Sequence, residues 1–224
     1  GKLRRWSKVR EEMILRADSL NYESAIVVLN AANYGVPQNR ERMFLIGIRK
    51  DLLDPTFLHF GQAMDSHFVT LRESSPTVRD VVTKLGKAGS TGNSRVCNAI
   101  ITFAKNPVLR PSPDAGMLFN GAGRPLRADG VSCTLPATMG GNRTPIVDES
   151  EIFEGTPNFI EGYHERLSKD LAPHTGLAPS NLRRLTVDEC LAIQTFPKNY
   201  KLHGQRNALF RQIGNAVPCD LAES

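Results

Sequence analysis

The length, composition and charge of the chain limit its class before any motif is considered. The 224 residues are 40% apolar, which is enough for one large or two small domains and excludes a disordered or fibrous protein. No run approaches the roughly 18 apolar residues of a membrane span, and the first residues lack the long apolar stretch of a signal peptide, so we expect a cytoplasmic protein. The net charge of +5 favours a polyanionic partner without requiring one.

The four cysteines are Cys97, Cys133, Cys190 and Cys219. They are widely spaced and form no Cys-x-x-Cys, and no histidine pair has the spacing of zinc ligands. This pattern predicts reduced, mostly buried thiols and indicates neither a disulfide framework nor a structural metal.

The first part of the chain predicts one helix followed by two strands. Residues 2–20 place apolar side chains at a roughly helical spacing among many charges, which is typical of a surface helix. Residues 24–30 and 43–48 are apolar and rich in β-branched side chains, and a turn at 34–38 lies between them. We therefore expect two neighbouring strands.

The pattern loosens from residue 52 to residue 182, where proline and glycine recur and apolar runs are short. We expect a separate, irregular and β-rich domain here, with one helix near 78–85. A firmer signal follows, because Thr186 and Glu189 have the spacing of a capping box and Pro197 limits the helix that they begin. This predicts a helix over residues 186–195.

A row of long polar side chains lies between the two predicted strands. Gln38, Arg40 and Arg42 are spaced by two, so an extended strand would direct all three to one face. Guanidinium groups suit phosphate oxygens or a carbonyl that gains negative charge. An isolated row of this kind is also consistent with a solvated strand face, so the rest of the chain must decide.

Two later segments give this row its context. Leu185-Thr-x-x-Glu-Cys-x-x-x-Gln-x-Phe-Pro197 follows some 140 residues later, and Gln212-Ile-Gly-Asn-Ala-Val-Pro218 follows that. The ordered trio closely resembles the last three motifs of the cytosine-5 DNA methyltransferases. The resemblance covers residues 24–50 and 183–220, and the segment between them lies where that family has its variable target-recognition domain.

The resemblance implies an α/β edge of a Rossmann-like methyltransferase domain plus a small irregular α+β, mostly β, target-recognition domain. Residues 1–51 would supply strands of the catalytic domain and residues 52–182 the recognition domain. Residues 183–224 would form a bridging helix and a segment that returns to the catalytic domain. We also expect the hairpin to expose a strand edge and an apolar face where its partner sheet is missing.

The resemblance also implies roles for individual residues. Arg42 would donate to O2 of a flipped cytosine and stabilise the charge that builds when a thiolate adds at C6. Gln38 and Arg40 would support that geometry or hold a nearby phosphate. Asn215 and the backbone of Ala216 would contact the amino-acid end of S-adenosyl-L-methionine.

Several of the family's parts are absent from the printed sequence. None of the four cysteines lies in a Pro-Cys-Gln loop, and neither Phe-x-Gly-x-Gly nor Glu-Asn-Val occurs. We therefore interpret the chain as the C-terminal part of such an enzyme, inactive alone, which is either a subunit of a split enzyme or a truncated chain. Its partner would be the N-terminal catalytic half, in cis or separate. The alternative is a non-catalytic DNA-binding or regulatory module, against which the retained Arg42 and Asn215 argue.

Stretches rich in Gly, Arg, Thr and Asn predict loops that enter the major groove of double-stranded DNA, although ordinary hairpin turns have a similar composition. We expect Arg143 to read a guanine. Arg183 and Arg184 would position the DNA backbone or pack the two domains together. Six basic against two acidic residues give a local charge of +4 both at positions 1–16 and at positions 183–212. The residues expected to contact DNA are Arg124, Arg127, Thr138, Gly140, Gly141, Asn142, Arg143, Thr144, Arg183 and Arg184.

Overall fold

The computed structural model describes residues 7–54 and 59–224. Within these ranges the chain forms helices and three separate two-stranded antiparallel sheets, with strand orders β1-β2, β3-β4 and β5-β6. None of the helices in this part of the chain combines the length and the apolar character needed to cross a membrane. In chain order the elements are α1 (Ser7–Ser19), β1 (Tyr22–Asn30), β2 (Glu41–Arg49), α2 (Phe60–Thr70), α3 (Val78–Leu85), β3 (Phe103–Val108), β4 (Met117–Phe119), β5 (Ile146–Asp148), α4 (Glu149–Glu154), α5 (Phe159–Ser168), β6 (Leu182–Arg184), α6 (Val187–Ile193), α7 (Arg206–Asn215) and α8 (Cys219–Glu223).

The hairpin of β1 and β2 confirms the two predicted strands. Its pairing runs without a register shift from Tyr22 opposite Arg49 to Asn30 opposite Glu41. The surface helix is also confirmed over Ser7–Ser19, none of whose residues is buried. Residues 2–6 of that predicted helix lie outside the described residues.

The two faces of the hairpin have different surroundings. Val27 and Leu29 are buried in a core that includes Leu221, and side chains of α2 pack against it. On the opposite face, Val28, Met43 and Leu45 are 47%, 44% and 38% exposed. The expected exposed apolar face is therefore present on the hairpin.

The prediction that residues 52–182 are mostly β is wrong. Helices α2, α3, α4 and α5 have 11, 8, 6 and 10 residues, whereas the strands of this region have six or three. Three of these helices begin at a side-chain cap, on Thr77, Asp148 or Asn158. The expected helix near 78–85 is confirmed over Val78–Leu85.

The main core crosses the predicted domain boundaries. Val82, Leu126 and Leu135 share one buried cluster with Cys190 and Phe210, so residues on both sides of the 182/183 boundary pack together. Strand β5 pairs with β6 across the same boundary, and α2 lies against β1 across the 51/52 boundary. The packing therefore does not follow the predicted domain boundaries at 51/52 and 182/183. Contacts between residues far apart in the sequence decide where a core lies.

Helix α6 begins at the predicted capping box, which is confirmed. Thr186 accepts a hydrogen bond from the Glu189 backbone, while the Glu189 carboxylate accepts one from the Thr186 backbone. The helix ends at Ile193, two residues earlier than predicted, because Thr195 adopts a left-handed φ of 56°. The chain thus turns before Pro197 can act as the stop.

Candidate functional site

The first and the third motif meet at the side chain of Arg40. Arg40 lies just before β2 and is 1% exposed. Its Nη1 donates to the carbonyl of Leu135 at 3.0 Å, and its Nη2 donates to the carbonyls of Gly214 and Ala216 at 2.7 and 2.8 Å. Burial lowers the Arg40 pKa to about 10, and the charge of Arg42 adds to this effect. The guanidinium therefore remains charged at neutral pH and joins two distant segments.

Gln38 completes the same buried junction. Its Oε1 accepts from the Leu135 backbone at 3.1 Å and from Arg40 Nη1 at 3.4 Å. Because both side chains are buried and bonded within the protein, neither can hold a phosphate, so that alternative is wrong, while support of the Arg42 geometry stays a prediction. Both residues precede β2, which begins at Glu41, so the expected open face of three polar side chains does not form.

Arg42 is the member of the row that keeps free donors. It lies in β2 opposite Leu29 and is partly buried. Its Nη1 donates to the carbonyl of Glu41 at 2.7 Å, and the structure shows no other partner for it among the described residues. Burial lowers the Arg42 pKa. The guanidinium can therefore still donate to a ligand.

The last turn of α7 and Ala216 after it are held by side chains of the two other motifs. Gln194 Nε2 donates to the carbonyl of Ile213 at 2.8 Å, next to the carbonyls that Arg40 binds. Sequence reasoning missed this role of Gln194, although an amide among the apolar residues at the end of a capped helix was an available signal. The Ala216 backbone donates to Ile213 and accepts from Arg40, so both of its groups are already bonded. Asn215 is exposed and, among the described residues, its amide has no partner.

Gly214 lies where this segment contacts the chain at residues 136 and 137. A Cβ at Gly214 would lie 2.5 Å from both the Pro136 carbonyl carbon and the Ala137 nitrogen. Because both contacts are backbone atoms, the neighbours cannot move aside without shifting the chain. This close approach explains the glycine of the Gly-Asn-Ala-Val-Pro segment.

We expect Gly214→Ala to destabilise the fold by about 1–3 kcal/mol, the usual cost of overpacking. Urea unfolding of the variant measures this change. Gly162→Ala is the matched control, since Gly162 also lies in a helix and a Cβ there would meet nothing within 4 Å. Alanine is the better helix former, so the control should be as stable as the wild type or up to about 1 kcal/mol more stable. Equal stability of Gly214→Ala and the wild type would contradict the tight packing.

The loop formed by residues 137–144 begins beside this junction and presents polar groups to solvent. Thr138, Asn142 and Arg143 are exposed, and Arg143 Nη1 donates to Thr138 Oγ1 at 3.4 Å. Thr144 is buried, and its Oγ1 accepts from the Gly140 backbone at 2.9 Å. The prediction that Thr144 contacts DNA is therefore wrong, because this side chain shapes the loop from inside.

Arg183 and Arg184 bind groups within the protein, which agrees with the packing alternative and not with the DNA-backbone alternative. Arg184 is 2% exposed, and its guanidinium donates to the carbonyls of Asn142 and Thr144. Arg183 binds the buried Glu189 carboxylate at 2.7 Å, and this charge helps to raise the Arg183 pKa against the effect of desolvation. Both guanidinium groups are committed inside the protein, so neither is a contact to the DNA backbone.

Arg124 and Arg127 lie at the surface with protein partners. Arg124 Nη1 donates to the carbonyl of Gly116 at 3.0 Å. Arg127 forms an exposed ion pair with Glu161 at 3.4 Å. An exposed pair of this kind contributes little stability, so Arg127 remains available to another anion, whereas Arg124 braces a neighbouring turn.

The cysteines are free thiols, and only Cys190 is fully buried. Burial raises the pKa of Cys133 to about 11 and the pKa of Cys190 well above its usual range. Burial and the nearby Asp220 carboxylate raise the pKa of Cys219. A cysteine nucleophile needs the opposite shift, toward the thiolate. Cys97 lies 3.8 Å from Thr144 Oγ1.

Comparison with known proteins gives consistent results. The model of the C-5 cytosine-specific DNA methylase family matches residues 3–224. Type II methyltransferase M.MthTI of Methanothermobacter thermautotrophicus is 31% identical over 91% of this chain and 55% of its own length. Type II methyltransferase M.NgoPII of Neisseria gonorrhoeae is 26% identical over 95% and 56%, respectively. The chain thus spans about half the length of these curated relatives.

Solved structures show the same fold at low sequence identity. The Dnmt2 methyltransferase of S. pombe has a TM-score of 0.60 at 15% identity, with 96% of this chain and 59% of that chain covered. A DNMT2 variant of Spodoptera frugiperda has a TM-score of 0.52 at 17% identity, with coverage of 95% and 59%. The match of the family model, the motif trio and this fold agree. The chain belongs to the C-5 cytosine-specific DNA methylase family.

Proposed function

We propose that residues 1–224 are the C-terminal part, or a subunit, of a DNA (cytosine-5-)-methyltransferase. In this proposal they recognise the target DNA and complete the active site and the S-adenosyl-L-methionine pocket. The observation that carries it is the junction of the three motifs. Arg40 joins residue 135 to residues 214 and 216 there, while Arg42 and Asn215 keep polar atoms free.

Arg42 is the residue that would act on the substrate. Its donors suit O2 of a cytosine that has left the base stack, where negative charge grows as a thiolate adds at C6. A guanidinium that is always charged and partly buried stabilises such charge more strongly than it would in water. The thiolate itself would come from a Pro-Cys-Gln loop, in cis or on a separate subunit.

Asn215 would bind the cofactor. Its amide can both donate and accept, which suits the carboxylate and ammonium of the amino-acid end of S-adenosyl-L-methionine. The bonds of Arg40 and Gln194 hold the backbone on either side of Asn215. The cofactor supplies the methyl group when it is bound, and this chain contributes a fixed position for one of its ends.

The exposed face of the hairpin supports a catalytic partner. Val28 and Met43 lie directly opposite each other on this face, and Leu45 lies beside them. Apolar neighbours of this kind are usually covered by another protein surface. In the proposed enzyme, residues 1–51 supply strands to the catalytic sheet, residues 52–182 recognise DNA and residues 183–224 return to the catalytic domain.

The proposed DNA surface uses exposed cations rather than Arg183 and Arg184. Arg143 projects from loop 137–144, and further exposed cations lie after α6 and on α7. No ion pair engages them within the described part of the chain. These further cations are Lys198, Lys201, Arg206 and Arg211.

We expect duplex DNA affinity to fall about a hundredfold between 50 and 200 mM salt if roughly four of these cations meet phosphates. Fluorescence titration of a labelled duplex at a series of salt concentrations measures this change. The double variant Lys198→Ala/Lys201→Ala should flatten the slope by about 2, whereas Lys105→Ala/Arg110→Ala, which removes the same charge from exposed positions elsewhere, should not. Salt-independent binding would contradict the proposed surface.

A non-catalytic DNA-binding module is the second candidate function. The raised pKa values of Cys133, Cys190 and Cys219 favour it, since none of these thiols is activated. The free donors of Arg42 argue for the enzyme, because binding of duplex DNA alone needs no group beneath a flipped base. The two candidates differ in whether a nucleophile-bearing partner yields methyl transfer.

A further inference from the structure

A cleft of about 440 Å³ separates loop 137–144 from the first turns of α7. The loop lines it with Thr138, Gly140 and Gly141, and the helix side lines it with Gln205, Asn207 and Arg211. Among the described residues, no carboxylate lines the cleft. The cleft therefore presents amide and guanidinium groups from two segments that are far apart in sequence.

The walls of the cleft are held in a fixed relation. Gly140 has a left-handed φ of 111°, and a Cβ there would lie 2.4 Å from the Asn207 side-chain oxygen. Met139, which also lines the cleft, is buried in the same core as Leu209 of the helix. Loop and helix therefore form one rigid surface.

The polar side chains on the helix side lack partners in the part of the chain that the structure describes. Gln205 is the N-cap of α7 and makes no side-chain capping bond. Asn207 and Arg211 are four residues apart, so they lie on one face of the helix. Among the described residues, no hydrogen bond or ion pair engages these three side chains. By contrast, Arg79 and Arg95 are paired with carboxylates.

We infer that this face of α7 takes part in reading the target DNA, which extends the proposed function beyond loop 137–144. Side-chain amides pair with two positions on the edge of an adenine, so Gln205 and Asn207 suit base edges. Arg211 suits a phosphate beside them. Gly141, where a Cβ would meet nothing within 4 Å, leaves room for a nucleotide to approach the backbone. This inference rests on the proposed function.

The test uses residues 1–224 and a randomised duplex pool, from which a preferred duplex and its single-pair mismatches are obtained. Asn207→Ala and Gln205→Ala are expected to lower the ratio of matched to mismatched affinity about tenfold at one base pair each. Arg211→Ala is expected to weaken all sequences alike and to reduce the salt slope by about 1. Gly141→Leu, which fills the cleft, should weaken binding of every duplex.

Asn106→Ala and Arg110→Ala are the matched controls, since both residues are exposed and neither lines the cleft. Thermal unfolding of each variant confirms that the fold is retained. Unchanged base preference in Asn207→Ala and Gln205→Ala, with Arg143→Ala still relaxing it, would overturn this inference and leave the proposed function standing. A wild type that binds DNA without salt dependence, or without base preference, would overturn the reading role, and the first result would overturn the proposed function as well.

Discussion

Residues 1–224 are expected to transfer no methyl group to DNA above background when incubated with a cytosine-containing duplex and labelled S-adenosyl-L-methionine. A thiolate must lie beside C6 of the flipped base, and this position is worth several orders of magnitude in rate. Burial raises the pKa of Cys133 to about 11 and raises those of Cys190 and Cys219 as well. None of these thiols therefore supplies a thiolate at neutral pH.

The fourth thiol, that of Cys97, makes a specific control possible. Cys97→Ser removes the cysteine that contacts Thr144, and it should leave the background unchanged. Label incorporated by the pure chain, and lost in Cys97→Ser, would show that a cysteine of this chain is the nucleophile and would sink the prediction.

Addition of the nucleophile-bearing half, in cis or as a separate polypeptide, is expected to restore methyl transfer. In that assembly Arg42→Ala should lower kcat about 10²–10³-fold, the usual effect of removing a donor to a developing oxyanion. Lys50→Ala is a control at the far end of the same hairpin, where the side chain forms a surface ion pair with Asp18. DNA binding by this assembly without methyl transfer would favour the non-catalytic module.

Elements with strong local signals could be predicted from the sequence. The hairpin follows from its two apolar β-branched runs, and α6 follows from Thr186 and Glu189 at capping-box spacing. The caps of α4 and α5 escaped notice, because Asp148 and Asn158 are followed by short helices in a region rich in turn residues. Aspartate and asparagine side chains favour both turns and the first residues of helices, so in such regions the sequence does not distinguish the two.

The environment of individual arginines could not be predicted in the same way. Arg184 looked like a surface residue at a helix start, yet it lies in a short strand and is buried beneath loop 137–144. Arg183 beside it has its own partner, Glu189. Adjacent residues in a strand point to opposite sides, and which side is covered depends on segments that are about 40 residues away in sequence.

Arg40 and Arg42 show this difference most clearly. Their replacement is expected to change the stability of the chain by different amounts. Arg40 donates to Gly214, which is 174 residues away in sequence, and to Leu135 and Ala216. Arg42 donates only to its neighbour Glu41 among the described residues. One motif therefore contains a residue that positions distant segments and a residue that, among the described residues, is bonded only to its neighbour.

We expect Arg40→Ala to destabilise the chain by about 3 kcal/mol, since it leaves two buried carbonyls and one partly buried carbonyl without their charged donor. Arg40→Lys should recover little of this, because a single ammonium cannot reproduce the fork of a guanidinium. Arg42→Ala should cost about 1 kcal/mol or less, because no buried partner loses a bond. Urea unfolding of the three variants, followed by tyrosine and tryptophan fluorescence, measures these differences.

The same comparison tests how the junction positions Asn215. If Arg40 holds residues 214–216 in place, a variant at Arg40 that still folds should expose this segment to hydrogen exchange, while the Arg42 variant should protect it as the wild type does. Gln194, which binds the neighbouring carbonyl of Ile213, should add to the effect when it is replaced together with Arg40. Equal stability and equal protection in the Arg40 and Arg42 variants would mean that the junction does not hold the segment, and Asn215 would then lack the fixed position that cofactor binding requires.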